Sequence, residues 1–210
     1  MANYFSYLPN IQISERTARE AFLDQNVIKN IYRRVSVRDD LAKYIFAYDD
    51  YIVRDGERPD NVSNTFYDTP DYDWVIILCN RYTNIYEEWP MDTNTLDDYL
   101  ERKYGTKLYD VVQYETEDIT DSKGNILVSA GTIVNSNFLY TTYEGIVYGQ
   151  NAIQPLTNYD IEYRKNERKR AIKVLKGRYI PQFIKEFEDL IKYPQSEDRI
   201  NKDLKKTQII

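Results

Sequence analysis

Histidine is absent from this 210-residue chain, and cysteine occurs once, as Cys79. Those two facts remove most of the chemistry that a sequence can advertise. There is no side chain that titrates by default near neutral pH, no Ser-His or Cys-His nucleophile pair, and no imidazole for a transition metal. Cys79 ends the apolar run Val75-Ile76-Ile77-Leu78 and reads as a buried, inert thiol. A single cysteine makes no internal disulfide, which agrees with a reducing compartment. Carboxylate chemistry stays open in principle, because a glycosidase needs only two acids. None of the 34 acidic residues stands in a distinctive motif, however. No catalytic residue, metal ligand or cofactor-binding residue is therefore assigned, no cofactor is expected, and an enzyme is not expected.

What the chain has in excess is tyrosine, with 21 copies against 7 phenylalanines. A tyrosine buries a large ring and keeps a polar tip, which suits a surface that becomes covered by a partner. Compositional drift in an AT-rich genome accounts for the same excess, and both explanations stand. The net charge of −6 is unevenly placed. Residues Tyr159 to Glu186 hold nine basic and four acidic side chains, a local +5 on a remainder of −11. A basic element on an acidic body suits an acidic partner or its own acidic neighbours. Nucleic acid fits poorly, since no zinc knuckle, aromatic RNA-binding strand or glycine-rich phosphate loop accompanies the patch.

The elements that must carry these residues follow from periodicity and punctuation. A short helix is expected over Glu15–Leu23. Ile28, Ile31, Tyr32 and Val35 recur at helical spacing, although Val35 and Val37 alternate as in a short strand. Tyr51–Val53 reads as a strand, Asp55-Gly56 as a turn, and Asp60–Tyr67 as a helix with Val62 and Phe66 inward. Thr69 then serves as N-cap and Pro70 as first helical residue, with Asp71 and Asp73 in the first turn. That opens a short buried helix with Trp74, Ile77 and Leu78 on one stripe and Asn80 as its stop. VVQYETEDI and NILVSAGTIV flank the turn at Lys123-Gly124-Asn125 and read as a β-hairpin, with further strands in NFLYTTYEGIVYG. AIKVL reads as a strand. Ile180, Phe183, Ile184, Phe187, Leu190 and Ile191 form an amphipathic helix with Pro181 in its first turn and Pro194 after its end. The last residues, SEDRINKDLKKTQII, show no period and read as a loose tail. No run is long and apolar enough to cross a membrane, and MANYFSYLPNIQISERTARE lacks the pattern of a signal peptide, so a soluble, cytoplasmically made protein is expected.

The order of strand, Gly56 turn, helix ending at Phe66-Tyr67, and second helix from Trp74 to Asn80 resembles a LysM module, a small β-α-α-β domain. The segment RYTNIYEEWPM departs from the family's closing strand, with Trp89-Pro90 in its place. Several longer stretches together resemble the baseplate wedge protein 53 family of T4-like contractile-tailed phages, cyanophage members in particular. These are NIYRRVSVRDDL, YIVRDGERPDNVSNTFYDTPDYDWVIILCNRYTNIYEEWPM, LERKYG, and NYDIEYRKNERKRAIKVLKGRYIPQFIKEF.

The resemblance implies a structural virion protein of the inner tail baseplate, assembled in the host cytoplasm. Such a protein joins neighbouring wedges around the hub, in several copies with six-fold symmetry. It also implies other wedge and hub-proximal proteins as partners, with neither nucleic acid nor membrane. The alternative is a LysM-type module gripping peptidoglycan at the host cell wall. The fold class is α+β, in five segments: an N-terminal arm with short helices (1–48), a LysM-like domain (49–106), a hairpin-rich region (107–156), a basic helix-strand-helix segment (157–193) and the tail (194–210). Because interfaces draw on aromatics and arginine, the candidate partner-contacting residues are Tyr32, Arg33, Arg34, Arg38, Tyr86, Trp89, Arg164, Arg168 and Arg170.

Overall fold

The computed structural model describes residues 4–15, 24–35 and 45–207. From the N-terminus come helix α1 (Tyr4–Tyr7), strands β1 (Asn10–Glu15) and β2 (Asp24–Lys29), and strand β3 (Tyr48–Ile52). Helices α2 (Pro59–Tyr67), α3 (Asp73–Cys79), α4 (Ile85–Glu88) and α5 (Thr93–Tyr104) follow. Then come strands β4 (Val111–Thr116), β5 (Ile119–Thr120), β6 (Ile126–Val128), β7 (Ile133–Val134), β8 (Tyr140–Thr141), β9 (Val147–Tyr148) and β10 (Ile153–Thr157). Helix α6 (Asn158–Lys169), strand β11 (Ala171–Leu175), helix α7 (Ile180–Ile191) and strands β12 (Arg199–Asn201) and β13 (Leu204–Thr207) complete the order. This is an α+β protein. It divides into two compact units, Met1–Trp89 with Ala171–Ile210, and Pro90–Arg170. The boundaries expected near residues 48, 106, 156 and 193 fall inside these units.

In the first unit, β3 pairs antiparallel with β11, Tyr51 opposite Ile172 and Asp49 opposite Val174. Helix α2 starts on Pro59, whose missing N–H is no loss at that position, and ends on Asp68 in the left-handed region at φ 56°. Ser63 Oγ donates to Thr69 O at 2.6 Å and closes the corner. Thr69 accepts from Asp71 N, as expected of a cap, and a single turn of 3-10 helix (Pro70–Tyr72) leads into α3. Of the expected stripe, Trp74 is buried and Leu78 packs half-buried against the same cluster, but full burial falls on Val75 and Ile76, and Ile77 is only half-buried. The reason is that α3 lies between two apolar clusters. Trp74 and Val75 pack with Leu8, Leu175, Ile180, Phe183, Phe187 and Ile191, while Ile76 packs with Val53, Val62, Trp89, Ile172 and Val174. Helix α7 buries Ile180, Phe183, Phe187 and Ile191, each contributing about 1.5–3 kcal/mol. Leu190 of the expected stripe stays 41% exposed.

Two expectations for this unit are corrected. Helical spacing from Ile28 to Val35 does not give a helix: Ile28 belongs to β2, and Ile31 and Tyr32 form a turn. Among the described residues, the N-terminal arm holds the short helix α1, as expected, and a β1–β2 hairpin that was not, with Ile11 opposite Ile28. Nor is the C-terminal segment a loose tail, because β12 and β13 join that hairpin in a sheet ordered β12-β13-β1-β2. Strand β13 runs parallel to β1, with Ile11 opposite Lys205, a pairing between chain ends that no local pattern announces. The expected helix at Glu15–Leu23 lies almost wholly outside the described residues.

In the second unit, β4 is the centre of a sheet ordered β10-β4-β7, with β5–β6 and β8–β9 as separate hairpins. The core joins Leu96 and Leu100 of α5 to Leu108, with Met91, Tyr104 and Tyr159 against it. Thr157 caps α6 by accepting from Asp160 N while the Asp160 carboxylate accepts from Thr157 N, a reciprocal capping box. The expected turn is present, with Gly124 at φ 84°. Its organiser is Asp121, whose carboxylate accepts from Asn125 Nδ2 at 2.8 Å, Tyr143 OH at 2.8 Å, Asn125 N at 2.8 Å and Lys123 N at 2.9 Å.

Those four bonds hold the Asp121 carboxyl down to about 2, the Asn125 side chain contributing most, and its bond pushes the Tyr143 phenol up to about 12. A depressed carboxyl contributes stability that is complete above its unfolded value of about 3.9 and is lost as pH falls towards 2. The turn is therefore expected to loosen between about pH 4 and 2. Amide exchange at Lys123 and Asn125, corrected for intrinsic rates, should accelerate there in the native chain. Asp121→Asn should show fast exchange already at pH 6. Equal protection at pH 6 and pH 2 in the native chain would show that the carboxylate does not hold the turn.

Candidate partner interface

The nine residues singled out by type separate into distinct environments. Arg33 is not a surface contact. Its Nε donates to Ile191 O at 3.0 Å and its Nη2 to Leu190 O at 3.2 Å and Lys192 O at 2.9 Å. The guanidinium also lies over the Tyr193 ring, 5.6 Å from its centre. It satisfies carbonyls that the last turn of α7 leaves unpaired, so its work is structural. Trp89 is likewise corrected from interface to core. Only 8% of it is exposed, its Nε1 donates to Glu57 O at 2.9 Å, and its ring meets Tyr82 edge-on. Glu57 in turn receives Tyr51 OH at 2.8 Å and Arg54 N at 3.0 Å, closing the turn around Gly56.

In the second unit, Arg164 pairs with Glu115 at 2.5 Å and Arg170 with Glu167 at 2.7 Å. The Arg170 side chain is only 12% exposed, so it belongs to the packing of its own helix end. Arg168 is exposed. Arg38 lies outside the described residues. Tyr32, Arg34 and Tyr86 stand out on the surface of the first unit, Tyr32 at 88% and Tyr86 at 85% exposure.

Tyr86 belongs to α4, the helix whose Glu88 also feels the charge of Arg34. Asn84 caps this helix by accepting from Tyr86 N at 3.2 Å. Glu88, from the same helix, accepts from Asn84 N at 2.7 Å and also from Thr83 N. These N–H groups, with the charge of Arg34 adding to them, hold the Glu88 carboxyl below the usual range. Helix α4 thus presents an exposed Tyr86 ring and a Glu88 carboxylate fixed by backbone N–H groups, both suited to protein contacts. Burial pushes the Cys79 thiol up to about 12, so it is a thiol and not a thiolate at neutral pH.

Two features were not anticipated from residue type. One is a groove of about 320 Å³ in the first unit, with walls of Phe46, Ala47, Tyr48, Leu175, Tyr179 and Phe183 and with Gln182 and Glu186 at its side. Phe46 is 82% exposed at its edge, and an isolated phenylalanine ahead of a strand carries no sequence signal for that. The other is a row of rings in the second unit. Tyr159 stacks on Tyr163 at 6.0 Å and 15°, and Tyr109 leans on Tyr159 at 5.9 Å. Tyr159 and Tyr163 are four apart on α6, a spacing that foretells such a pair. Among the described residues, no group of acidic or cysteine side chains is placed to hold a metal ion, and no helix is long and apolar enough to cross a membrane. Compared with known proteins, the chain matches no family model and no curated protein.

Proposed function

We propose that this chain is a structural subunit of a contractile-tail baseplate wedge, joining neighbouring wedges in the inner baseplate during tail assembly. The observation that carries the reading is the way the stretches resembling that family meet in space. Residues 51–80 and residues 171–175 are far apart in sequence, yet β3 pairs with β11. Asn80 clamps the join, donating to Lys173 O at 2.8 Å and accepting from Lys173 N at 2.9 Å. In this reading the LysM-like β-α-α-β order is completed by β11, and RYTNIYEEWPM, which holds α4, is not the closing strand. The module then serves as a rigid core from which Tyr32, Arg34 and Tyr86 reach partner proteins. Virion residence and a six-fold arrangement belong to the same proposal, as does the lack of enzymatic activity.

The β-α-α-β order also favours a second reading, peptidoglycan binding by the LysM-like module. Deleting the gene from the parent phage and imaging the lysate separates the two. Under the baseplate reading, full heads and free, unjoined wedges accumulate without complete tails. Complete virions that adsorb and then stop at the envelope, together with sedimentation of the purified protein by insoluble cell wall, would overturn it in favour of glycan binding.

A further inference from the structure

Backbone hydrogen bonding marks one sheet edge as a docking site. In the β1–β2 hairpin, Asn30 N donates to Pro9 O at 2.8 Å. Antiparallel bonding alternates, so with Ile11 opposite Ile28 and Ile13 opposite Asn26, the even-numbered residues of β2 bond to β1. The odd-numbered residues Gln25, Val27 and Lys29 turn their N–H and C=O groups away from the sheet. The assignment is consistent with Asn10 N, which faces the other way from β2 and donates to Asp203 O at 2.7 Å. Lys29 O receives Ile31 N at 3.1 Å. No backbone partner among the described residues meets the N–H or C=O of Val27.

The other sheet edges carry the devices that prevent strand addition. Strand β12 has three residues and a register break, and β7 has two residues. Strand β10 contains Pro155 and a register break before Thr157. Strand β3 exposes Asp49 and Asp50, and on β11 the outward N–H and C=O of Lys173 are taken by Asn80. Strand β2 is six residues long with no proline and no register break. Its Val27 is 54% exposed and its Ile28 45% exposed, on opposite faces. Its lysine does not guard it either, because Lys29 Nζ is drawn back to Leu8 O at 2.7 Å and Ser6 O at 3.2 Å.

We propose that β2 pairs antiparallel with β2 of a second copy about a two-fold axis at Val27, making one continuous eight-stranded sheet. The occupant is a second copy because the strand is complementary to itself in the register its outward groups allow. Outward-facing odd residues must meet odd residues, and the register that pairs all three of them sets Val27 opposite Val27, Gln25 opposite Lys29, and Asn26 opposite Ile28. No like charges meet, and both exposed apolar side chains gain cover. The contact goes beyond the baseplate reading and does not depend on it.

The test is sedimentation velocity on the full chain over a dilution series. The native protein should be dimeric when concentrated and dissociate on dilution. Val27→Pro removes only the outward N–H and leaves the β1–β2 bonds in place, so dimer affinity should fall roughly tenfold or more as each copy loses a bond. If that variant fails to fold, Val27→Lys and Val27→Glu carry the test. Each places like charges opposite one another and should be monomeric, whereas an equimolar mixture of the two should dimerise. A native chain that stays monomeric at every concentration overturns the proposal. So does a dimer indifferent to these substitutions, a mixture that fails to associate, or an edge that becomes protected only when a different protein is added.

Discussion

Replacing Trp74 by alanine is expected to destabilise the first unit by about 3–5 kcal/mol, enough to consume a large share of a typical domain's stability. The indole is 5% exposed and stands among four rings. Phe187 lies 4.9 Å away between centres, Tyr7 5.6 Å, Tyr4 5.9 Å and Phe183 6.0 Å. Those rings come from α1 and α7, so the cavity left by alanine would be bounded by elements distant in sequence that cannot all collapse into it. Trp74→Phe separates ring packing from the polar handle. The buried Nε1 has no hydrogen-bond partner among the described residues, and phenylalanine removes that orphaned donor while keeping an aromatic ring. It should therefore cost much less than alanine, about 1–2 kcal/mol. Urea unfolding followed by far-ultraviolet circular dichroism, which needs no tryptophan signal, gives both values. Equal losses for the two variants would mean that the ring contacts are not what holds α1 and α7 together.

The same neighbourhood shows which parts of the fold were legible in the sequence. Thr69 and Pro70 announced the entry to α3 because capping is local chemistry that three or four residues complete by themselves. Which side of α3 is buried was not legible, because a helix between two clusters has no single apolar stripe to read. Helical spacing from Ile28 to Val35 misled for a related reason. The strand at β2 exists because β1 lies alongside, and β1 is paired on its other side with β13 from the far end of the chain; strand formation depends on such partners more than on intrinsic preference. Helix α5 carries legible local signals, with Asp92 accepting from Thr95 N as N-cap, Leu96 and Leu100 one turn apart, and Gly105 after its end.

The candidate surface divides in the same way. Residue type identified arginines that bind planar acceptors, but type alone does not say whether the acceptor is a partner's or the chain's own. Arg33 found the carbonyls of α7, and Arg164 found Glu115. Tyr32, Arg34, Tyr86 and Arg168 remain turned outward.

Asn166→Ala is expected to cost the second unit about 2–4 kcal/mol, although it deletes only a small polar side chain. Asn166 is 3% exposed in a helix otherwise rich in charge, and it makes both hydrogen bonds that a neighbouring peptide would make. Its Nδ2 donates to Met91 O at 2.8 Å and its Oδ1 accepts from Met91 N at 2.8 Å. Alanine leaves the N–H and C=O of Met91 without these partners, and the penalty of a stranded backbone group exceeds the net value of the bond that satisfied it. Asn166→Leu restores bulk but no hydrogen bonds, so it should be no better than alanine. Asn166→Asp keeps an acceptor for Met91 N, yet turns a second carboxylate oxygen on Met91 O, so it too should destabilise at neutral pH. Protonation would return a donor, and the Asp variant alone should regain stability as pH falls below its raised carboxyl value. Hydrogen exchange at the Met91 amide reads the local effect and urea unfolding the total. If alanine costs under about 0.5 kcal/mol, water replaces the side chain, and the link across 75 residues is not what ties α6 to the start of this unit.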